Sequence, residues 1–159
     1  MECSITIDGT LPRGIGITKG QLRRAAKYFA QKSSSRVKIP FYEVTVILQN
    51  DSESDEVHKA VMGVAGATDV ITQAYEAMPP EPDGVYGELY VNVDQAFRYA
   101  QISPNWSAAK ELVLYVAHGI DHLSGADDLD EKSRSTMRRR ELRWLSEFFA
   151  NEAAGSAVL

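Results

Sequence analysis

A chain of 159 residues with 44% hydrophobic and 25% charged residues has the make-up of one globular domain, which excludes a disordered tail, a collagen-like repeat and a disulfide-stapled miniprotein. The single cysteine, Cys3, cannot form an internal disulfide, and the longest apolar run, Leu112 to Ala117, is far short of a ~20-residue membrane span, so a cytoplasmic protein without membrane contact is expected. The net charge of −5 hides a segregation: eight bases and no acid between Leu11 and Tyr42, six bases against Glu141 alone between Lys132 and Arg143, and 17 acids against three bases from Glu43 to Glu131. Such a layout points to a polyanion-facing surface on an acidic protein.

In chain order, Ser4 to Asp8 alternates as a short strand ended by Asp8-Gly9. Thr18 caps a helix expected to run to about Lys32, with Leu22, Ala25, Ala26, Phe29 and Ala30 on one apolar stripe and Ser33-Ser34-Ser35 breaking it. Tyr42 to Leu48 reads as a strand with Val44, Val46 and Leu48 on one face. Asp51 or Ser52 starts a short acidic-fronted helix to about Lys59, ended by Gly63 and Gly66. Val70 to Tyr75 and Tyr86 to Val93 read as strands flanking a proline-rich turn over 78–84.

Ser103-Pro104 is expected to start a helix to about Leu123, apolar all round over 112–117 and therefore central and buried. An amphipathic helix from about Asp130 to Ala150 buries Met137, Trp144, Leu145, Phe148 and Phe149. The fold class expected is α+β, a small mixed sheet packed by helices. Residues 1–150 form one domain, and 151–159 a frayed tail.

The chemistry concentrates over 118–128. His118 and His122 lie four apart on a helix, about 40° apart around its axis, so both imidazoles reach one side. Gly125 lets the chain leave the helix in a left-handed turn and bring Asp127 or Asp128 back to them. Two histidines and a carboxylate with an open position suit a catalytic divalent metal. The spacing HxxxHxxGxxD is that of the metzincin frame, with Asp128 in the last ligand's place. The glutamate that a peptidase uses as base is Gly119 here, which argues against proteolysis.

The same segment resembles the signature H-G-x-L-H-L-x-G-x-D-H of the YbeY family, bacterial rRNA maturation factors described as metal-dependent endoribonucleases. His118, Gly119, His122, Leu123, Gly125 and Asp127 match, while Asp121 and Asp128 depart. Thr68-Asp69-Val70-Ile71-Thr72 is similar to the family's T-D-V-L-S block, and Gly87-Glu88-Leu89-Tyr90-Val91-Asn92 to its G-D-I-x-I-S strand. Spacing and element order agree from about Tyr42 to Leu145.

The resemblance implies one zinc ion held by His118, His122 and Asp128, and a single-strand-type endoribonuclease acting on rRNA in ribosome maturation. The small ribosomal subunit is a partner on the same ground. Met62, at the end of His58-Lys59-Ala60-Val61-Met62, stands where the family carries an arginine, so activity weaker than that of arginine-bearing members is expected. His58 and Asp69 are the candidate catalytic groups. Glu88 is expected to point to solvent and Asp121 not to be a ligand.

RNA contact is expected from Arg23, Arg24 and Lys27 in the first basic segment and from Arg138 and Arg139 in the second. Two other classes remain open at this stage: a non-catalytic rRNA-binding factor with a structural metal, and a metallohydrolase of another substrate.

Overall fold

A computed structural model, which describes residues 3–158 (backbone only over 156–158), contains four strands and five helices. They are β1 (Ser4–Asp8), α1 (Lys19–Val37), β2 (Phe41–Gln49), α2 (Asp51–Met62), β3 (Val70–Tyr75), β4 (Val85–Asn92), α3 (Val93–Ile102), α4 (Ala108–Leu123) and α5 (Glu131–Val158). The sheet order is β1-β2-β4-β3, with β1/β2 and β2/β4 parallel and β3 antiparallel on the edge beside β4. The fold is α+β with a mixed sheet.

Alternation decides which sheet face is covered. Val44, Val46 and Leu48 of β2 and Leu89 and Val91 of β4 are buried, while Thr45, Ile47, Tyr86, Glu88 and Tyr90 on the opposite face are half-buried. The buried face receives α4, whose stretch Leu112 to Ala117 is buried throughout. Two glycines set how close α4 comes to β4. A Cβ on Gly119 would lie 2.7 Å from Leu89 Cδ2, and one on Gly87 would lie 2.8 Å from Leu123 Cδ1. Each glycine thus seats the leucine of the other element, so Gly119 faces the sheet and has no room for a side chain.

Several element ends differ from the sequence expectation. α1 runs through Ser33-Ser34-Ser35 to Val37 because Ser33 is buried against the core and Ser34 Oγ donates to Ile39 O at 2.8 Å, so these serines serve packing and termination. Its start is as expected: Thr18 Oγ1 accepts from the Gln21 amide at 3.1 Å and Gln21 Oε1 accepts from the Thr18 amide at 2.9 Å.

The N-cap of α2 is Asn50, not Asp51 or Ser52, and it is reciprocally bonded to Glu53. Ser103-Pro104 does not start the central helix. Ser103 instead ends α3, a helix the sequence expectation lacked, and Ser107 caps α4 by accepting from the Lys110 amide at 3.1 Å. α5 continues past Ala150 to Val158, where Glu152 receives a two-nitrogen bond from Arg24, its shortest contact 2.7 Å.

Candidate metal centre

The last turn of α4 builds the site. His118 and His122 project together, with Nε2 atoms 3.1 Å apart. Gly125, at φ 96°, closes the helix in a Schellman turn: its amide donates to His122 O at 2.9 Å and the Ala126 amide to Asp121 O at 3.4 Å. That turn presents the Ala126 carbonyl to His122 Nδ1 at 3.0 Å and swings the chain back. Asp128 Oδ2 then comes within 3.7 Å of His118 Nε2 and 3.6 Å of His122 Nε2. Asp127 turns elsewhere, accepting from the Leu129 amide at 3.3 Å.

Hydrogen bonding on the far side of each ring shows why these atoms suit a cation. His118 Nδ1 lies 3.0 Å from both oxygens of Glu141, and His122 Nδ1 faces a carbonyl, which can only accept. With Glu141 ionised and both rings neutral, each Nδ1 carries the proton, and both Nε2 lone pairs converge with a carboxylate on one point. Three acceptors facing one another repel unless a cation lies among them. Donors held 2.0–2.1 Å from a tetrahedral ion lie about 3.3 Å apart, close to the separations here. One ligand atom from each of His118, His122 and Asp128 falls within 4.8 Å of the others, and all three residues are half-buried.

Glu141, which sequence reasoning missed, is the buried partner of this centre at 1% exposure. Burial pushes its carboxyl well above the usual carboxylate range, although His118 pulls the other way. Burial opposes the charged form of His118, but the bond to Glu141, then Glu141, Asp69 and Asp128 as charges, raise its pKa on balance. A signal was present: Glu141 is the lone acid among the bases of 132–143 and falls on the buried stripe with Met137, Leu145 and Phe148.

Asp121 lies beneath the site and is no ligand. It is fully buried and accepts from Arg140 at 2.9, 2.9 and 3.1 Å and from Arg36 at 3.5 Å, tying α4 to α5 and α1. α5 thus grips α4 twice, through Arg140–Asp121 and Glu141–His118.

Two grooves, each about 530 Å³, meet at the cluster and share Asp69, His118 and Asp128. The α5 side is lined by Arg134, Arg138 and Arg139, with Tyr115 and Leu114 below. The α2 side is lined by His58, Met62, His122 and the β3 edge from Val70 to Ala74. His58 Nδ1 donates to Gly66 O at 2.8 Å, leaving Nε2 available when the ring is neutral. Asp69 Oδ1 accepts from the Val70 amide at 2.7 Å, so this carboxylate caps the start of β3 and also borders both grooves.

The fold therefore brings His58, Asp69, His118, His122, Asp128, Arg138 and Arg139 together. Arg23, Arg24 and Lys27 line neither groove. Arg24 is held by Glu152, and Lys27 lies near Cys3. Glu88 is half-buried and receives the Tyr90 hydroxyl away from the site.

The class that this fold and site define is an α+β protein whose central helix gathers two histidines and an aspartate at the junction of two grooves. The pattern of the family described as Endoribonuclease YbeY matches residues 13–149, and the chain belongs to that family. The Rhodopirellula baltica protein named Endoribonuclease YbeY is 30% identical over 146 residues, 89% of this chain and 74% of the relative. Its namesake from an Arthrobacter species is 25% identical over 151 residues, covering 91% and 94%. With curated relatives at 23–33% identity, this is a divergent member. The solution structure of the Thermotoga maritima protein TM1509 superposes with a TM-score of 0.56 at 25% identity, covering 95% of this chain and 93% of that one. Among the described residues, no helix is long and apolar enough to cross a membrane.

Proposed function

We propose that residues 1–150 form a single-domain, metal-dependent endoribonuclease of single-strand type that acts in cytoplasmic rRNA maturation, with rRNA and the small ribosomal subunit as partners. One divalent ion, zinc by its two imidazole donors and one carboxylate, is held by His118, His122 and Asp128. The observation that carries the reading is the convergence of two imidazole Nε2 atoms and a carboxylate oxygen where two open grooves meet.

Bound there, the ion supplies Lewis acidity toward a phosphoryl oxygen and lowers the pKa of water toward neutrality. The chain's own groups do the remaining work. Glu141 and the Ala126 carbonyl hold the imidazoles in one tautomer and orientation. Asp69 and His58, bordering the cluster, can each take or return a proton at a free oxygen or at Nε2. Gly119, pressed on Leu89, supplies no base, which disfavours the peptidase alternative.

Elemental analysis of the purified protein and of His122→Ala, with cleavage assays on RNA and casein with and without chelator, tests the reading. The expected result is about one zinc per chain, lost in the variant, and chelator-sensitive cleavage of RNA only. A second reading, a non-catalytic rRNA-binding factor, is favoured by the exposed Met62 on a groove wall that carries no Lys or Arg. RNA binding without metal-dependent cleavage would select it.

A further inference from the structure

The two grooves that meet at the cluster differ in charge: three arginines line the α5 side and no Lys or Arg lines the α2 side. On the α5 side, Arg134, Arg138 and Glu141 follow at i, i+4 and i+7, forming one stripe of the helix within about 60° of arc. Glu141 touches His118, so Arg138 sits about one turn, and Arg134 about two turns, from the histidine along that stripe. Arg134 donates to the backbone carbonyl of Asp128 at 3.2 Å.

The acids of this groove are already engaged. Glu111 is buried and accepts from Trp106 Nε1 at 2.8 Å, Glu141 holds His118, Asp128 belongs to the cluster, and Asp69 accepts the Val70 amide. Arg138 and Arg139 are exposed and have no carboxylate partner among the described residues. On the α2 side the walls away from the cluster are Met62, Val70, Ile71, Thr72 and Ala74, with His58 the titratable group there besides the cluster side chains, and no Lys or Arg.

We infer that the α5 groove is the phosphate-binding half of the site and the α2/β3 groove the nucleobase-binding half. An RNA strand then crosses the cluster with the phosphates on one side gripped by Arg138 and Arg139, while a neighbouring base lies against Met62 and the β3 edge. The inference rests on the endoribonuclease reading and adds a polarity to it. Arginine suits this task because its planar fork pairs two donors with two phosphate oxygens, and its charge cannot be titrated away. A wall of methionine, aliphatic and threonine side chains cannot neutralise phosphate, but it can take the flat face of a base.

The test uses the zinc-loaded protein and a dye-labelled 2′-O-methyl RNA dodecamer without secondary structure, checked intact on a gel, with affinity read by anisotropy across a salt series. Arg138→Gln/Arg139→Gln should weaken binding roughly tenfold at low salt and reduce the slope of log affinity against log salt by about 1.4, as two single-strand phosphate contacts require. Arg13→Gln/Lys19→Gln removes the same charge from the α1 entrance, outside both grooves, and should leave the slope near wild type. Met62→Ala should lower affinity with the slope unchanged. A wild-type slope in Arg138→Gln/Arg139→Gln, with RNA bound, overturns the inference and leaves the endoribonuclease reading standing, as does a slope change from Met62→Ala. Wild-type protein that binds no RNA at any salt overturns both.

Discussion

Replacing Glu141 by glutamine separates metal affinity from fold stability. The side chain is 1% exposed, and both its oxygens lie 3.0 Å from His118 Nδ1. Glutamine fills the same volume and keeps one accepting oxygen, so the packing of α5 on α4 survives. What is lost is the charge that makes the opposite Nε2 a stronger donor to a cation. Loss of such a partner costs about 10–100-fold in metal affinity, or ~1.4–2.7 kcal/mol.

With zinc held at the cluster as proposed, metal bound only to the folded state adds that energy to stability, and the rise in Tm that zinc brings should shrink accordingly. At about 2–4 °C per kcal/mol for a domain of this size, the rise should be roughly 3–11 °C smaller at the same zinc concentration. Thermal unfolding with and without zinc, paired with competition against a chelator of known affinity, measures both quantities. His58→Ala should leave zinc affinity unchanged, since its ring bonds Gly66 O. A folded Glu141→Gln protein with wild-type zinc affinity refutes the reasoning.

Arg140→Ala strips three hydrogen bonds from the fully buried Asp121, leaving Arg36 at 3.5 Å, and should cost about 3–5 kcal/mol in urea unfolding; Asp121→Leu/Arg140→Met should recover most of it. Gly119→Ala places a Cβ 2.7 Å from Leu89 Cδ2, so overpacking of about 1–3 kcal/mol exceeds the ≤ ~1 kcal/mol gained in helix propensity, and equal or higher stability would reject the close-approach account. Met62→Arg puts a cation on the wall assigned to the base, so the rate of RNA cleavage should stay within about threefold of wild type; a rise of about tenfold or more would show that this wall meets developing charge, where removing one such donor elsewhere costs ~10²–10³, and would refute the base-side assignment. The Arg98 and Asn92 side chains hold the Asp51 carboxyl down at about 2 from 3.8, so its contribution is present above pH 3.8 and lost as pH falls toward 2. Since Asp51 is 41% exposed, the effect is below ~1 kcal/mol, and Asp51→Asn should flatten that part of the stability–pH curve.

What the sequence determined by itself was whatever depends on neighbours within about one helical turn or one strand repeat. The cap at Thr18, the alternation of Val44, Val46 and Leu48, and the i, i+4 pairing of His118 with His122 are all of this kind. So is the return of the chain at Gly125, whose positive φ and two turn hydrogen bonds involve only residues 121–126. Local geometry is set by backbone sterics and short-range hydrogen bonds, which residue type and spacing express directly. Ser103-Pro104 shows the limit of such signals: a good helix start in isolation, it ends α3 instead, with Ser107 four residues on taking the cap.

The distant groups that complete the site are brought in by helix packing. Glu141 meets His118 across 23 residues, and Asp121, flanked by the two histidines, is withdrawn into ion pairs with α1 and α5. Asp128, which the spacing already favoured over Asp127, comes within reach of both imidazoles, and Arg138 and Arg139 stand at the groove while Arg24 is held on Glu152. These outcomes depend on how α5 and α1 lie against α4 and against each other. That placement is set by burial of Met137, Trp144, Leu145 and Phe148, a nondirectional force that periodicity announces without naming the partner face.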